Sequence, residues 1–512
     1  MKKKSLKKLF FFKLSGILDP FKYMAGKYSI NDQLFTLPKL NNNNAHDKVL
    51  DNNNSSYVDS FFSFITSILL NKMNFIHGTD FYGSYIGIKN HLNIDVYDDI
   101  DSYSCNDFFQ QNLNNLFHFV NSDHEEILNQ NSRRNKKPIE IGEEISLDVL
   151  TLNDIISLDE SKCLDLNEIS KKNTNLELCH DSNDDNDDNA DNDQIDEKNN
   201  LDNTRNDHTN NKCKKSNTNS SSSKTECSSR SSNTNNEKEE SSDDESEDGT
   251  DENETTSSDM ENIMVSIDEF PIQIIALEKC KDTFDSLLTN DSINSDELGC
   301  IIAQILMILI TYQKMFSFTH NDLHTNNVMY IETEKRYLYY KINDRHYKIP
   351  THGKIFKIID YGRAIYKFKG HVMCSDSFHK EGDANSQYNC EPYFNENKPR
   401  LDPNPSFDLC RLGCSIYDFI SEKYENMKQI KNPIHKLIIN WCIDDDGRDI
   451  LYKSDGEERY PDFKLYKMIA RKVNKHKPID ELQKSYFERF VVSRKAIKKG
   501  SFIWNIDELE HQ

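Results

Sequence analysis

Residues 181–260 carry almost no large apolar side chains, and that gap constrains everything else this chain can build. The tract holds 24 Asp and Glu against 8 Lys and Arg, set among Asn and Ser. Such a segment cannot bury enough surface to offset its conformational entropy, so it is expected to be disordered. The 512 residues would otherwise allow two to four domains. The tract also accounts for 16 of the 23 net negative charges, leaving 62 acids and 55 bases elsewhere. The acidic pI of 5.2 therefore describes one insertion and not an acidic fold. No basic face is evident, which argues against a nucleic-acid partner.

Outside the tract the cysteines and apolar runs narrow the class further. Twelve cysteines occur, none in a CxxC pair, which suits free thiols in a reducing compartment. Cys410 and Cys414, four apart, read as small buried residues on one helix face. No stretch reaches the roughly 18 apolar residues of a membrane span, and a cytosolic or nuclear location is expected. Residues 1–14 are Lys-rich with Phe10, Phe11 and Phe12 in a row. They lack the apolar centre and cleavage site of a signal peptide and read as a solvated, frayed terminus. A membrane-surface or nuclear-address role is the alternative. Within the acidic tract, Ser241 to Asp248 alternates serines and acids. It reads as an inert solvating insertion or as a substrate for an acid-directed kinase.

The flanks carry periodic structure. Residues 57–70 have helical apolar recurrence, with Ser55, Ser56 and Asp59 as cap-like residues. Residues 75–78 and 81–88, aromatic and β-branched with glycines between, suggest a strand pair. Residues 96–175 hold apolar pieces without a signature. Order resumes at Phe270, with 272–277 as a buried strand. Residues 296–316 form a strongly apolar helix leading into His320. Strands are expected at 328–331 and 355–359, and mostly helix from Phe407 onward.

Three motifs follow in that half. The first is His320-Asn321-Asp322-Leu323-His324-Thr325-Asn326-Asn327. Phosphoryl transfer to a hydroxyl needs a carboxylate to orient and deprotonate the acceptor, and oxygen ligands for a Mg²⁺ bridging the phosphates. Asp322 after a helix, with Asn327 one short turn later, supplies both. The second is Phe356-Lys357-Ile358-Ile359-Asp360-Tyr361-Gly362, where an apolar strand delivers Asp360 as a Mg²⁺ ligand. Tyr361, if buried, needs a partner for its hydroxyl. The third is Phe407-Asp408-Leu409-Cys410-Arg411-Leu412-Gly413, running on to Tyr417 and Asp418. His320 is expected to hydrogen-bond within its loop rather than do acid–base work, and His77 to be a satisfied structural histidine. No His/Cys cluster has zinc-ligand spacing.

In this order the motifs resemble the HRD…N, DFG and DxWxLG elements of the eukaryotic-type protein kinase superfamily. The wording is nearest to the atypical serine/threonine kinase-like proteins of large DNA viruses. The resemblance covers residues 57–88 and Phe270 to the end. It implies an α+β, bilobal protein-kinase-like fold with the long acidic insertion in the N-lobe. The implied division is a basic N-terminal segment at 1–30, a first N-lobe part at 31–95 and an insertion at 96–265. The second N-lobe part and hinge follow at 266–280, and a helical C-lobe at 281–512. It implies ATP and Mg²⁺ as cofactors and a protein substrate phosphorylated on Ser or Thr. By the same resemblance Asp322 is the catalytic base, with His324 beside it. Asn327 and Asp360 hold the metal and nucleotide, Leu277 is the gatekeeper, and Glu278 to Cys280 form the adenine hinge. Asp408 would accept backbone hydrogen bonds from the catalytic loop.

The sequence departs from that pattern in definite places. Asn321 replaces the usual Arg, which pairs with an activation-loop phosphate, and His324 stands where the usual Lys would. Such DLH wording also occurs in haspin-like and small-molecule kinases. The 38 residues from Asp322 to Asp360 exceed the usual gap, and residues 337–354 are expected to extend a hairpin there. No GxGxxG and no VAIK are present. Lys39 and Lys48 are the candidates for the phosphate-contacting lysine, and the helix at Tyr57 offers Asp59 but no Glu to pair with one. An active protein kinase is therefore weighed against a pseudokinase scaffold and a small-molecule kinase.

Overall fold

The computed structural model describes residues 9–31, 33–39, 44–124, 263–421 and 430–512. The tract at 181–260 lies outside these residues. The described chain is mixed α+β with several small sheets.

The first sheet is built around one long strand. Strands β1 (Phe10–Gly16), β2 (Phe81–Asp95), β3 (Phe117–Phe119) and β4 (Met264–Glu278) are joined antiparallel through β4. β2 covers one edge of β4, while β1 and β3 share the other, end to end. Residues 10–16 are thus a strand and not a frayed terminus. The run from Phe10 to Leu14 finds partners in Glu278 to Ile274. The strand pair expected at 75–88 is likewise one strand, because Phe75 to Gly78 forms a turn ahead of β2. Gly78 is required there: a Cβ would lie 2.2 Å from the Thr66 carbonyl oxygen of the neighbouring helix.

That helix, α1 (Ser55–Met73), is capped by Asn54, whose side chain accepts from Ser56 N–H. Asn54 is fully buried, and its amide also donates to the carbonyls of Ile17 and Lys48. Part of the span expected to be insertion is ordered. Tyr103, Phe109, Phe117 and Phe119 pack with Phe270 and Ile272 in one apolar cluster. Val120 N–H donates to the Met264 carbonyl at 2.9 Å, extending the β3–β4 pairing.

The second half is organised by helix α3, which follows the short α2 (Phe284–Thr289). α3 (Ser295–Phe316) is long and apolar enough to cross a membrane by length and composition, against the expectation of no such stretch, but 89% of that window is buried inside the protein. Strands β5 (Asp282–Thr283), β6 (Val328–Glu332) and β9 (Lys354–Ile358) form a small sheet beneath it. Between β6 and β9 lies the expected hairpin, β7 (Tyr337–Ile342) and β8 (Arg345–Pro350). Its turn residues Asn343 and Asp344 both have positive φ, 49° and 58°, as a two-residue hairpin turn of this hand needs. β10 (Ile365–Phe368) and β11 (His371–Cys374) pair next, and α4 (Phe407–Ile420), α5 (Pro433–Trp441) and α6 (Phe463–Lys472) complete the helical part.

Phe62 of α1 meets the rings of Tyr312, Phe316, Phe318, Tyr361 and Tyr366, joining α1 to the helical part. His77 makes a second joint. Its Nδ1 sits 2.6 Å from the Phe356 carbonyl, which can only accept, so Nδ1 carries the proton and Nε2 accepts from the Tyr340 hydroxyl at 2.5 Å. Burial pushes this imidazole down to about 4.

Two stability outcomes follow from these joints. Phe62→Ala is expected to cost about 3–5 kcal/mol by urea unfolding. His77 is neutral when folded and titrates near the ordinary histidine value when unfolded. Its contribution is complete above about pH 6.5 and drains as pH falls toward 4, by about 3 kcal/mol. Urea midpoints between pH 7.5 and 4.5 should show this slope, and a His77→Gln chain, less stable at the start, should lose less across it.

Candidate active site

A lysine ammonium draws three distant segments together. Lys13, on β1, lies 2.7 Å from Asp59 Oδ2 of α1 and 2.7 Å from Asp360 Oδ1, just after β9. Burial works against the ammonium, but Asp360 and Asp59 outweigh it and hold Lys13 protonated. Burial also raises the Asp59 carboxyl, opposed by Lys13 and by the Tyr361 N–H, which donates to Asp59 Oδ1 at 2.9 Å. With bonds this short on both sides, the charged lysine is the state the geometry favours. Neither lysine expected from sequence is at this point. Lys39 is exposed, and Lys48 pairs with Asp376. The signal for Lys13 was a lone lysine inside an apolar run, and Asp59 supplies the carboxylate for which a glutamate was sought.

The loop after α3 is held from below. Helix α3 ends on Ser317 in the left-handed region, and Thr319 exchanges two backbone hydrogen bonds with Ile365, both 2.9 Å. Asn321 has φ 64°, a conformation that Asn tolerates better than most residues. The turn is held by Asp408 of α4. Its two carboxylate oxygens accept the N–H groups of His320 at 2.9 Å and Asn321 at 3.0 Å, as expected. His320 donates from Nε2 to the Ile359 carbonyl at 2.9 Å and accepts the Asp322 N–H on Nδ1, so its role lies within the loop.

Asn327 and Asp360 are set side by side by the β6–β9 ladder, in which Val328 pairs with Ile358 and Ile359 N–H donates to the Asn327 carbonyl. The Asn327 amide donates to the Asp322 carbonyl at 2.9 Å and to His324 Nε2 at 3.1 Å. Its side-chain oxygen is therefore the group left for a ligand. Asp360 sits at φ 63°. Tyr361, buried, finds its hydroxyl partner in the Ile358 carbonyl at 2.6 Å. One carboxylate and one amide oxygen suit Mg²⁺, which is commonly held by one or two protein oxygens together with phosphates and waters.

Burial alone would raise Asp322, but Arg363, Arg411 and a hydrogen bond from Tyr466 hold it below the usual carboxylate range. Asp322 is thus poised as an anion. His324 is pushed down to about 4, chiefly by burial, and is neutral at pH 7.

Lys13, Asp59, Asp322, Asp360 and Arg363 line one cavity of about 1540 Å³. Leu277, Glu278 and Cys280 lie outside its wall. Leu277 is buried near the end of β4. The Glu278 carboxylate is engaged by the buried Lys357 and by the Asp80 N–H, so it ties β4 to β9. Burial pushes the Cys280 thiol up to about 12.

The segment after β11 is fastened without added charge. Asp376 accepts the Ser55 N–H at the start of α1 and pairs with Lys48, and its own N–H donates to the Asn53 carbonyl. Tyr388 donates to Asn321 Oδ1 at 2.8 Å. Asn321, in the position of the usual Arg, thus takes a neutral partner from this segment.

No family model matches the chain. It is similar to the serine/threonine-protein kinase haspin of Mus musculus, with 32% identity over 116 residues, 23% of this chain and 14% of that protein. It is also similar to that of Bos taurus, with 30% identity over 116 residues and the same coverage. The match thus spans about one seventh of each relative's length. These partial similarities support a protein-kinase-like relationship.

Asp408→Ala would strand two buried backbone N–H groups, each costing about 1–3 kcal/mol. A loss of about 2–5 kcal/mol in urea unfolding is expected. Asp408→Asn, which offers one accepting oxygen where the carboxylate offers two, should fall between that variant and the wild type.

Proposed function

We propose that the chain is a serine/threonine protein kinase that moves the ATP γ-phosphate to a hydroxyl of a protein substrate. The observation that carries this assignment is the convergence of Lys13, Asp59 and Asp360 on one cavity with Asp322. The partial similarity to a serine/threonine-protein kinase agrees with it. The β1–β4 sheet with α1 is taken as the smaller lobe of a bilobal kinase fold, and the helical part as the larger.

Phosphoryl transfer requires positioning and charge neutralisation more than covalent help. Lys13, anchored by Asp59, brings a fixed positive charge to the edge of the cavity for the phosphates. Asp360 and the Asn327 side-chain oxygen would hold Mg²⁺. When bound, the ion would neutralise charge on the phosphate oxygens. Asp322, kept anionic, accepts the proton of the acceptor hydroxyl. Its loop is already fixed by Asp408, so little reorganisation is needed on binding. His324, neutral, holds the Asn327 amide through Nε2 and so orients the oxygen meant for the metal. Of the hinge proposed at Leu277, Glu278 and Cys280, the Cys280 backbone is the part left for the adenine, since Leu277 is paired with Phe11 and Phe81, the Glu278 N–H donates to the Asp80 carbonyl and the Glu278 side chain is engaged by Lys357.

The test is transfer of labelled phosphate from ATP–Mg²⁺ to a mixed panel of proteins. Asp322→Ala and Asp360→Ala, purified alongside, should each lose at least about 100-fold. Lys13→Met should weaken both rate and ATP affinity. Equal labelling by all of these chains would point to a contaminating enzyme. No labelling by the wild type, with ATP still bound, would favour a scaffold or a non-protein acceptor.

A further inference from the structure

We propose that Tyr466 is a positioning residue for the phosphotransfer base: clamped by Arg411, its hydroxyl fixes Asp322 through Oδ1 and leaves Oδ2 to meet the acceptor. The inference rests on the phosphotransfer assignment above and adds a residue that none of the motifs contains.

Tyr466 lies on α6, 144 positions after Asp322, with its hydroxyl 2.7 Å from Asp322 Oδ1. The same oxygen lies 2.9 Å from Nε of Arg411, a buried residue of α4. Chemistry fixes the direction of both bonds. A guanidinium can only donate, so the phenol oxygen accepts from Arg411 and its single proton goes to the carboxylate. Such a chain, with a cation at one end and an anion at the other, strengthens each of its bonds. Asp322 Oδ2 has no hydrogen-bond partner among the described residues. The bond from Tyr466 therefore selects which oxygen faces an acceptor.

The ring cannot easily move. It stacks on Phe463 at 5.2 Å with planes 12° apart and packs against Phe407 at 6.0 Å. The Arg363 guanidinium lies 5.8 Å from its centre. Arg363 is in turn paired with Asp383. Tyr466 is 5% exposed and belongs to an apolar cluster with Leu465, Ile469 and Phe407. A plug that occupied the acceptor's place would have to swing away during turnover, and this packing opposes that. A fixed support for the carboxylate needs no motion. His324, two residues after Asp322, accepts from the Asn327 amide on Nε2.

The experiment uses the full chain with Tyr466→Phe, which keeps the ring and its packing and removes only the hydroxyl. A second chain carries 4-aminophenylalanine at 466, restoring a donor at the same place. The expected result for Tyr466→Phe is a fall in kcat of about 10-fold or more, with KM for ATP within about twofold of wild type. The amino variant should recover most of the rate. Thermal midpoints of both show whether the fold is kept; ring packing alone would leave kcat unchanged in either chain. An unchanged rate in Tyr466→Phe, a faster one, or a loss that the amino variant fails to recover at equal thermal midpoint would overturn the proposal while leaving the kinase assignment standing. A wild-type chain that labels no acceptor would sink the kinase assignment, and this inference with it.

Discussion

The arrangement depends on one buried ammonium. Lys13 satisfies carboxylates from α1 and from the end of β9, so β1, α1 and the Asp360 turn must arrive together or leave a charge stranded. Removing one partner of such a cluster costs more than the cluster contributes, because the remaining charges stay desolvated. The site and the fold are for this reason difficult to separate. Phe62 and His77 reinforce the same joint from the apolar side, tying α1 and the start of β2 to the helical half.

A second set of contacts fixes the Asp322 loop and the segment beyond β11. Asp408 holds the loop by its backbone, and Tyr388 reaches Asn321 with a neutral hydrogen bond. Asp376, meanwhile, caps α1 beside Lys48. A carboxylate here stands at a helix N-terminus, where negative charge is favoured by the backbone dipoles. The segment is thus fastened by groups encoded in the chain, with no arginine in the loop to receive an added phosphate.

What was legible in the sequence was local. The Asp322 loop, the strand delivering Asp360 and the helix of Asp408 each announce themselves within about ten residues, and the β7–β8 hairpin follows from an unusual spacing. Lys13 was not legible in the same way. A lysine among phenylalanines near the start of the chain looks like a solvated terminus until β4, whose Ile275 lies opposite Lys13, is known to pair with it. Asp59 was noted where a glutamate was sought, and it reaches Lys13 at 2.7 Å. Tyr466 had no signal at all, and Arg411, though inside the third motif, gave no sign of its role, since their meeting with Asp322 depends on how three separate elements pack. Leu277 and Glu278 end β4 and Cys280 follows it, all three outside the wall of the cavity that holds Lys13 and Asp360. Periodicity could not reveal that the Glu278 side chain would be engaged by Lys357.

Val120 and Met264, far apart in sequence, are bonded neighbours on the sheet, and this bears on how such a chain can change over time. The cost of closing a flexible loop grows only with the logarithm of its length, about 0.6 kcal/mol for each doubling. A flexible connection between two such neighbours could therefore change length at little cost to the sheet. The same number of residues added between Asp322 and Asn327 would remove the Asn327 amide from Asp322. Length is of small consequence between two strands that already hold each other.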